Sequence, residues 1–556
     1  MFDLQQSVNS PTHKRGHILD WFVHRAADGL LLSTEVPQAI SSDHFCVLAY
    51  LDVTIPQSPP TFVEARNIRA VHQPTLKEDL RCHLSALSYP SAVELDSTLR
   101  TVLDKHAPAT QRKVSTRRSC PWYSAVSEEL RAAKRERRKA ERRWLSTGLT
   151  VHMQVYNAAK RHVTRLVQAA KTSFFSTKIM ESKSSKQLFN ITNQLASRKK
   201  PSALPTVYPP VQLPQRFADF FLSKVQTIRH NLDNQAQLVC FGESEEQSVA
   251  CSLSSFRPVS EDDVRKMILK SSPKSCELDP MPTSLLFECI DEVVPAITHV
   301  VNESFLSGTF PSMFKTAIVK PLLKKPSLEQ DDLKNYRPIS YLSFLSTVAE
   351  KLVLSQLSEY LNANQLFSPV QSAYRPNHST ETALVKIVND LLLALDDGKV
   401  SVLTLLDLSA AFDTIDHNIL LHRLEHAFGI TGTALSWIRS YLSDRDQTVV
   451  VNGLKSEPFR LLYGVPQGSV LGPILFVLHT KPFDHIFDIH SVCHHSFADD
   501  TQMQNSSSLD QLDTTISALQ ECVSNVKSWM TLNRFQLNDG RQKQCLFSLK
   551  ERLPTV

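Results

Sequence analysis

Three acidic side chains stand where this chain could do chemistry. Asp407 closes an apolar run, Val400-Ser401-Val402-Leu403-Thr404-Leu405-Leu406, and 92 residues later Ser496-Phe497-Ala498 leads into the doublet Asp499-Asp500. Neighbouring acids in an extended strand point to opposite faces, so a doublet in an exposed turn reads equally well as a solvated loop unless the turn bends the two together. Taken jointly, the two segments offer hard oxygen ligands on rigid strand ends. That is what a pair of divalent cations ~3.5–4 Å apart requires for in-line phosphoryl transfer.

Between the acids lies Gly464-Val465-Pro466-Gln467-Gly468-Ser469-Val470-Leu471-Gly472-Pro473. So many glycines and prolines demand a particular backbone path, for which a plain turn is the favoured explanation and close approach to a ligand the other. Upstream, Asn335-Tyr336-Arg337-Pro338-Ile339-Ser340 and Gln371-Ser372-Ala373-Tyr374-Arg375-Pro376-Asn377-His378 set arginines among turn formers. Such arginines suit phosphates, although exposed loop arginines are more often merely solvated.

The elements that must position these groups begin near residue 259. Ser260-Glu261-Asp262-Asp263 resembles a helix start, and helices then alternate with short β-rich runs such as Val400–Leu406 and Thr448–Val451. This is the texture of a mixed α/β (α+β) domain. Residues 61–250 read as helices and linkers, with a Pro-rich gap at 201–214 and a basic helix from Glu128 to about Trp144.

The 556 residues carry a net charge of only +5, yet residues 111–145 hold twelve Lys or Arg against four Glu. Concentrated positive charge points to a polyanion, with nucleic acid the first candidate. The basic helix has three readings: RNA contact, a nuclear import signal, or a salt-bridged solvent face. Ten cysteines without a CxxC pair imply reduced thiols inside the cell. No apolar run is long enough to span a bilayer, since Asp407 interrupts the best stretch, so a soluble intracellular protein is expected, nuclear or cytoplasmic, without a membrane partner. His485, His490, Cys493, His494 and His495 fit no tetrahedral metal template and read as a solvated connection.

In order and spacing these blocks resemble the reverse transcriptases of non-long-terminal-repeat retrotransposons, the Jockey-like LINE group. The resemblance covers about 259–547 and includes Ser275-Cys276-Glu277-Leu278-Asp279-Pro280 and Phe314-Lys315-Thr316-Ala317-Ile318-Val319-Lys320-Pro321-Leu322-Leu323-Lys324-Lys325. It implies a right-hand polymerase with an antiparallel palm sheet and packed helices. Asp407, Asp499 and Asp500 become the catalytic metal carboxylates, holding two Mg²⁺ ions or Mn²⁺. Arg375 would bind the incoming triphosphate with help from Lys320 or Lys324. Gln467 and Gly468 would lie against the nascent base pair and template. Phe412 would be the steric gate against a ribose 2′-hydroxyl, a core phenylalanine being its other reading. The implied partners are an RNA template, a DNA primer and dNTPs, and the implied activity is RNA-directed DNA polymerisation.

Two departures support an alternative, a degenerate and inactive remnant that at most binds RNA. Leu537-Asn538-Asp539-Gly540-Arg541-Gln542-Lys543 has Arg541 where the family usually has Lys, and Val477-Leu478-His479-Thr480-Lys481 is an altered form of the family's helix. The first residues, with Asp20 and Ser42-Asp43-His44, resemble the last strands of an apurinic-type endonuclease, where Asp20 would orient His44 and Asp43 would assist at the scissile phosphate. With the earlier strands of that fold missing, this remnant is expected to be inactive. The expected organisation is therefore an endonuclease remnant at 1–55, a helical basic linker at 56–255 and a polymerase domain at 256–547. Within the last, fingers are expected at 259–400, palm at 400–515 and a truncated thumb or connection at 516–556.

Overall fold

The computed structural model describes residues 4–25, 29–37, 43–52, 62–113, 128–182, 185–195, 204–205, 207–236, 249–538, 540 and 543–548. They fall into two units, Met1–Ala65 with Ala109–Ala125, and Arg66–Pro108 with Val126–Val556. The first unit consists of antiparallel ribbons that pair Leu4–Gln6 with Val23–Arg25, Leu31–Glu35 with Leu48–Leu51, and Phe62–Ala65 with Thr110–Lys113. Two-stranded ribbons bury little, and Leu4, Trp21 and Leu32 are exposed.

The second unit opens with helices α1 (Gln73–Ser85) and α2 (Ala92–His106). Leucines four apart (Leu76, Leu80 and Leu84; Leu95 and Leu99) make one apolar stripe on each. A Ser91–Glu94 capping box starts α2. Both stripes join the main core alongside the helix Ile290–Ser307, so this part of the expected linker belongs to the body. Helices α3 (Glu128–Thr147) and α4 (Thr150–Met180) form a hairpin around Leu130, Ala133 and Val163. Helix α5 (Leu213–Ala236), also in the expected linker, buries Leu213, Phe217 and Phe221 against Val319, Tyr336, Val449 and Val451.

The mixed α/β part follows. Helix α6 (Glu261–Lys270) starts at a Ser260–Asp263 capping box, and α7 is Ile290–Ser307. Strands β1 (Ala317–Leu323) and β2 (Tyr336–Tyr341) form a hairpin. Then come α8 (Phe344–Ala363), α9 (Thr380–Asp396), β3 (Val400–Leu406), α10 (His417–His426), α11 (Gly432–Leu442) and β4 (Arg445–Val451). The chain continues through α12 (Gly472–Thr480), β5 (Cys493–Phe497), β6 (Asp500–Ser507), α13 (Leu512–Leu532) and β7 (Lys543–Phe547).

Two sheets organise this part. One joins β2, β1 and β4, with β1 parallel to β4, and short strands Leu454–Lys455 and Phe459–Leu461 pair with β4. The other has the order β5-β6-β3-β7 and is antiparallel throughout. The core beside them includes Phe310, Phe428, Trp437, Tyr441, Phe476 and Phe535, all buried. The fold is thus mixed α/β with an antiparallel sheet and packed helices. Among the described residues, the cysteines are free thiols and no helix is long and apolar enough to cross a membrane.

Candidate active site

Register brings the acids together. In the β6–β3 pairing Thr501 faces Leu406 at the end of the ladder, and Asp500 and Asp407 are the next residue on each strand. Directly opposed residues of an antiparallel pair have Cα atoms about 4.5–5.5 Å apart. Asp499 sits in the two-residue turn between Phe497 and Asp500, which are paired across the β5–β6 hairpin. The turn's first residue, Ala498, takes φ +56°, the sign a primed hairpin turn requires and one that an L-residue holds only when its surroundings enforce it.

Gln371 supplies that enforcement. Its Oε1 accepts from Ala498 N at 2.9 Å and its Nε2 donates to Ala498 O at 3.2 Å. On either side, Ser372 N donates to Ser496 O and Ser496 N to Val370 O, so the 370–372 segment is laced to β5. Asp407 is fixed from elsewhere: Asn538 donates from Nδ2 to its Oδ2 at 3.0 Å and from its backbone N to its carbonyl at 2.9 Å. The carboxyl of Asp499 is pushed up by burial and by the nearby Asp500 and Asp407, with Arg337 opposing. Three oxygen-donor acids that repel one another in a partly desolvated site fit divalent cations, which remove the repulsion.

All three acids line a cleft of about 1080 Å³. Phe412, Gln467 and Gly468 line it too, as does Lys324, whose Nζ donates to the Lys334 carbonyl at 2.7 Å. Phe412 stacks on Phe476 with ring centroids 4.8 Å apart, so it is both a cleft residue and a ring packed against the core. Gln467 donates from Nε2 to both oxygens of Asp413, at 2.8 and 2.9 Å. Asp413, itself a cleft residue, is pushed up to about 6 by burial, against the pull of Gln467 and Lys224.

The glycines answer to protein backbone. A Cβ on Gly464 (φ +78°) would lie 2.5 Å from the Phe412 carbonyl oxygen, and one on Gly468 (φ +114°) 2.7 Å from that of Ser340. Ser340 N also donates to the Gln467 carbonyl, which ties β2 to this loop. Glu350 anchors the loop's far end from inside the core. Its fully buried carboxylate accepts from Val470 N at 2.8 Å, Leu471 N at 3.2 Å and the Tyr441 hydroxyl at 3.1 Å.

Two expected phosphate ligands lie elsewhere. Arg375 is turned inward and does not line the cleft: Nη1 donates to the carbonyls of Ser368 (2.8 Å) and Gln371 (3.2 Å), and the guanidinium lies over Phe367. A left-handed backbone at Tyr374 (φ +60°) puts that tyrosine in the cleft instead, close enough for Asp499 to raise its hydroxyl's pKa after burial has done so. Lys320 is exposed outside the cleft with its ammonium over Tyr341. The cations that do line the cleft include Arg337, Lys224, Lys324 and Lys325. Arg337 stood in a block already singled out; Lys224, from the expected linker, had no local signal.

The histidine-rich stretch runs from a short helix, Asp484–Ile489, into strand β5, with His485 and Cys493 exposed and the other three histidines partnered. His495 is buried with Nε2 on the Ser372 hydroxyl, His494 pairs with Asp484, and His490 meets Asn525. That corrects the reading as a solvated connection for His494 and His495, which pairing with β6 draws against the body. Asp539, Arg541 and Gln542 lie outside the described residues. In the first unit, His44 Nδ1 meets Asp20 Oδ2 at 2.7 Å and His13 Nε2 meets Asp43 Oδ2 at 3.5 Å, all near the surface. Hydrogen bonding to Asp20 raises the His44 pKa.

With this geometry in view, residues 323–550 match the family described as reverse transcriptase (RNA-dependent DNA polymerase), and the chain carries a domain of that class. Over most of its length it is similar to the RNA-directed DNA polymerase from mobile element jockey, 26% identical in Drosophila melanogaster (92% of this chain, 57% of the relative) and 23% in Drosophila funebris (95% and 59%). A retrovirus-related Pol polyprotein from the type-1 element R1 of Bradysia coprophila is 23% identical over 64% of this chain. The chain spans less than two thirds of the length of the jockey relatives.

Proposed function

We propose that the chain is an RNA-directed DNA polymerase that extends a DNA primer on an RNA template from dNTPs, with Asp407, Asp499 and Asp500 holding two Mg²⁺ ions, or Mn²⁺ in their place. The observation that carries this reading is the strand register that sets Asp407 beside the 499–500 hairpin at the cleft. When bound, the ion pair would lower the pKa of the primer 3′-hydroxyl and neutralise charge on the departing pyrophosphate. The chain's own groups do the rest. Asn538 orients Asp407, and Gln371 holds the strained turn so that both acids of the doublet serve one site. Arg337, Lys324 and Lys325 meet the triphosphate, Arg337 taking the part first expected of Arg375. Asp413 fixes the Gln467 amide, which leaves Gln467 Oε1 available to a nucleotide. Phe412, braced by Phe476, excludes a 2′-hydroxyl. The Asp20–His44 pair supports reading the first unit as a relative of the apurinic-type endonucleases.

Primer extension on an RNA template tests this, with matched dNTP and rNTP pools and Mg²⁺ or Mn²⁺. The wild type is expected to extend with dNTPs and Asp499→Asn to stop. Equal background from both proteins would mark an inactive remnant and end the polymerase reading. Phe412→Ala is expected to relax ribonucleotide exclusion by about tenfold or more, the scale on which one lost steric contact acts.

A further inference from the structure

Helices α3 and α4 hold thirteen Lys and Arg and four Glu between residues 128 and 180, a net +9, while the rest of the chain is net −4. No acid occurs anywhere in the 31 residues of α4. A salt-bridged solvent face needs acids in comparable number, and here the four glutamates can offset at most four of the thirteen cations within the hairpin. Glu128 already takes two arginines, Arg131 at 3.7 Å and Arg135 at 3.2 Å.

The arginines of α3 are also ordered. Arg131, Arg135, Arg138 and Arg142 recur at intervals of four, three and four residues, which keeps them within an arc of roughly 60° along about 16 Å of helix. All four are exposed. The opposite side carries Leu130 and Ala133, buried with Val163 of α4, and Trp144 stacks on Tyr156 at 5.4 Å. With Leu130 and Ala133 packed in this way and Leu145 its one large exposed apolar side chain, α3 lacks a continuous apolar face to sink into a bilayer. Guanidinium groups pair with phosphate oxygens in a two-pronged geometry, and a phosphate backbone supplies charge at a comparable linear density.

We infer that the exposed row Arg131, Arg135, Arg138 and Arg142 is a docking surface for the sugar-phosphate backbone of an RNA strand, binding it without regard to sequence and apart from the polymerase cleft. The inference builds on the polymerase reading, which makes RNA the expected polyanion.

The test uses the full chain and a fluorescent, unprimed single-stranded RNA of about 30 nucleotides, with dissociation constants measured by anisotropy across KCl concentrations. Changing the four arginines to Gln, a good helix former, is expected to weaken binding about tenfold or more near physiological salt. It should also lower the slope of log Kd against log salt by about 2 to 3, since each lost phosphate contact on a single strand removes about 0.7. Changing the same four to Lys should retain most of the slope. In the unaltered chain, saturating RNA should protect these arginines from phenylglyoxal, read by peptide mass, which needs no variant to fold. Unchanged affinity and slope in the Gln variant, or full modification under saturating RNA, overturns the inference. So does loss of binding to phosphatidylserine vesicles with RNA binding intact, which would assign the row to a membrane surface. The two readings fail separately: Asp499→Asn should abolish extension and leave RNA affinity unchanged, and a wild type that binds RNA through the row without extending a primer removes only the polymerase reading.

Discussion

In the proposed site Asp407 can hold a metal only if its carboxylate is aimed, and one side-chain bond from Asn538 fixes that carboxylate. Asn538→Ala removes that bond and keeps the backbone pairing, so we expect kcat for primer extension to fall about tenfold, as the loss of a charge-assisted hydrogen bond predicts. The template KM should stay near its original value, and steady-state kinetics separate the two. Asp413 gives the residue scale its pH dependence. Its carboxyl titrates near 6 in the folded chain, above the ordinary 3.8, so the folded state holds its proton more tightly than the unfolded state. The group is therefore most favourable below about pH 4, and that contribution is lost as pH rises through 6. Asp413→Asn, which cannot ionise, should raise the melting temperature at pH 7.5 relative to the wild type, and the gain should shrink by pH 5. An equal gain at both values would contradict the assignment.

At the scale of elements, the loop from Gly464 to Leu471 is pinned at its middle by Ser340 on β2, which donates to the Gln467 carbonyl, and at its end by Glu350 inside α8. Removing the buried carboxylate strands two backbone donors, so Glu350→Ala should destabilise the chain by about 3–5 kcal/mol. Glu350→Gln keeps one oxygen for them and should be the milder change. Denaturant melts rank the pair, and equal losses would mean that shape alone matters there. This anchor was half legible in the sequence, because a single acid stands among Val348, Ala349, Leu352 and Val353 and a charge amid apolar neighbours needs a partner. Its partner could not be read, since Val470 and Leu471 donate from backbone that any residue would supply. The three aspartates could be nominated for the opposite reason: Asp407 directly follows a strongly patterned strand, and the doublet directly follows a second short apolar run. Arg375 misled because loop composition does not say which way a guanidinium turns, and here two backbone carbonyls and the Phe367 ring capture it.

At the scale of the molecule, alternation of helix and strand after residue 259 announced a mixed α/β body, yet its extent was larger than the texture implied. Residues 73–106 and 213–236 read as connector because polar and Pro-rich stretches surround them, although the leucine spacing of α1 and α2 already marked faces that needed burial. Leu80, fully buried, tests this membership: Leu80→Ala should destabilise the body by about 2–5 kcal/mol and slow primer extension at temperatures where the wild type is still folded. A loose connector would tolerate the change with no effect on the melt. Lys224 reaches the cleft from α5 for the same reason, being carried by packing that no local pattern predicts.

The proposed polymerase chemistry requires Asp407 and the 499–500 hairpin to grip the same ions. Electron paramagnetic resonance titration of the full chain with Mn²⁺, on a DNA-primed RNA with a non-hydrolysable dNTP analogue, reads this directly. We predict two tightly held ions in the wild type and at most one in either Asp407→Asn or Asp499→Asn. The same stoichiometry and affinity in all three proteins would contradict it.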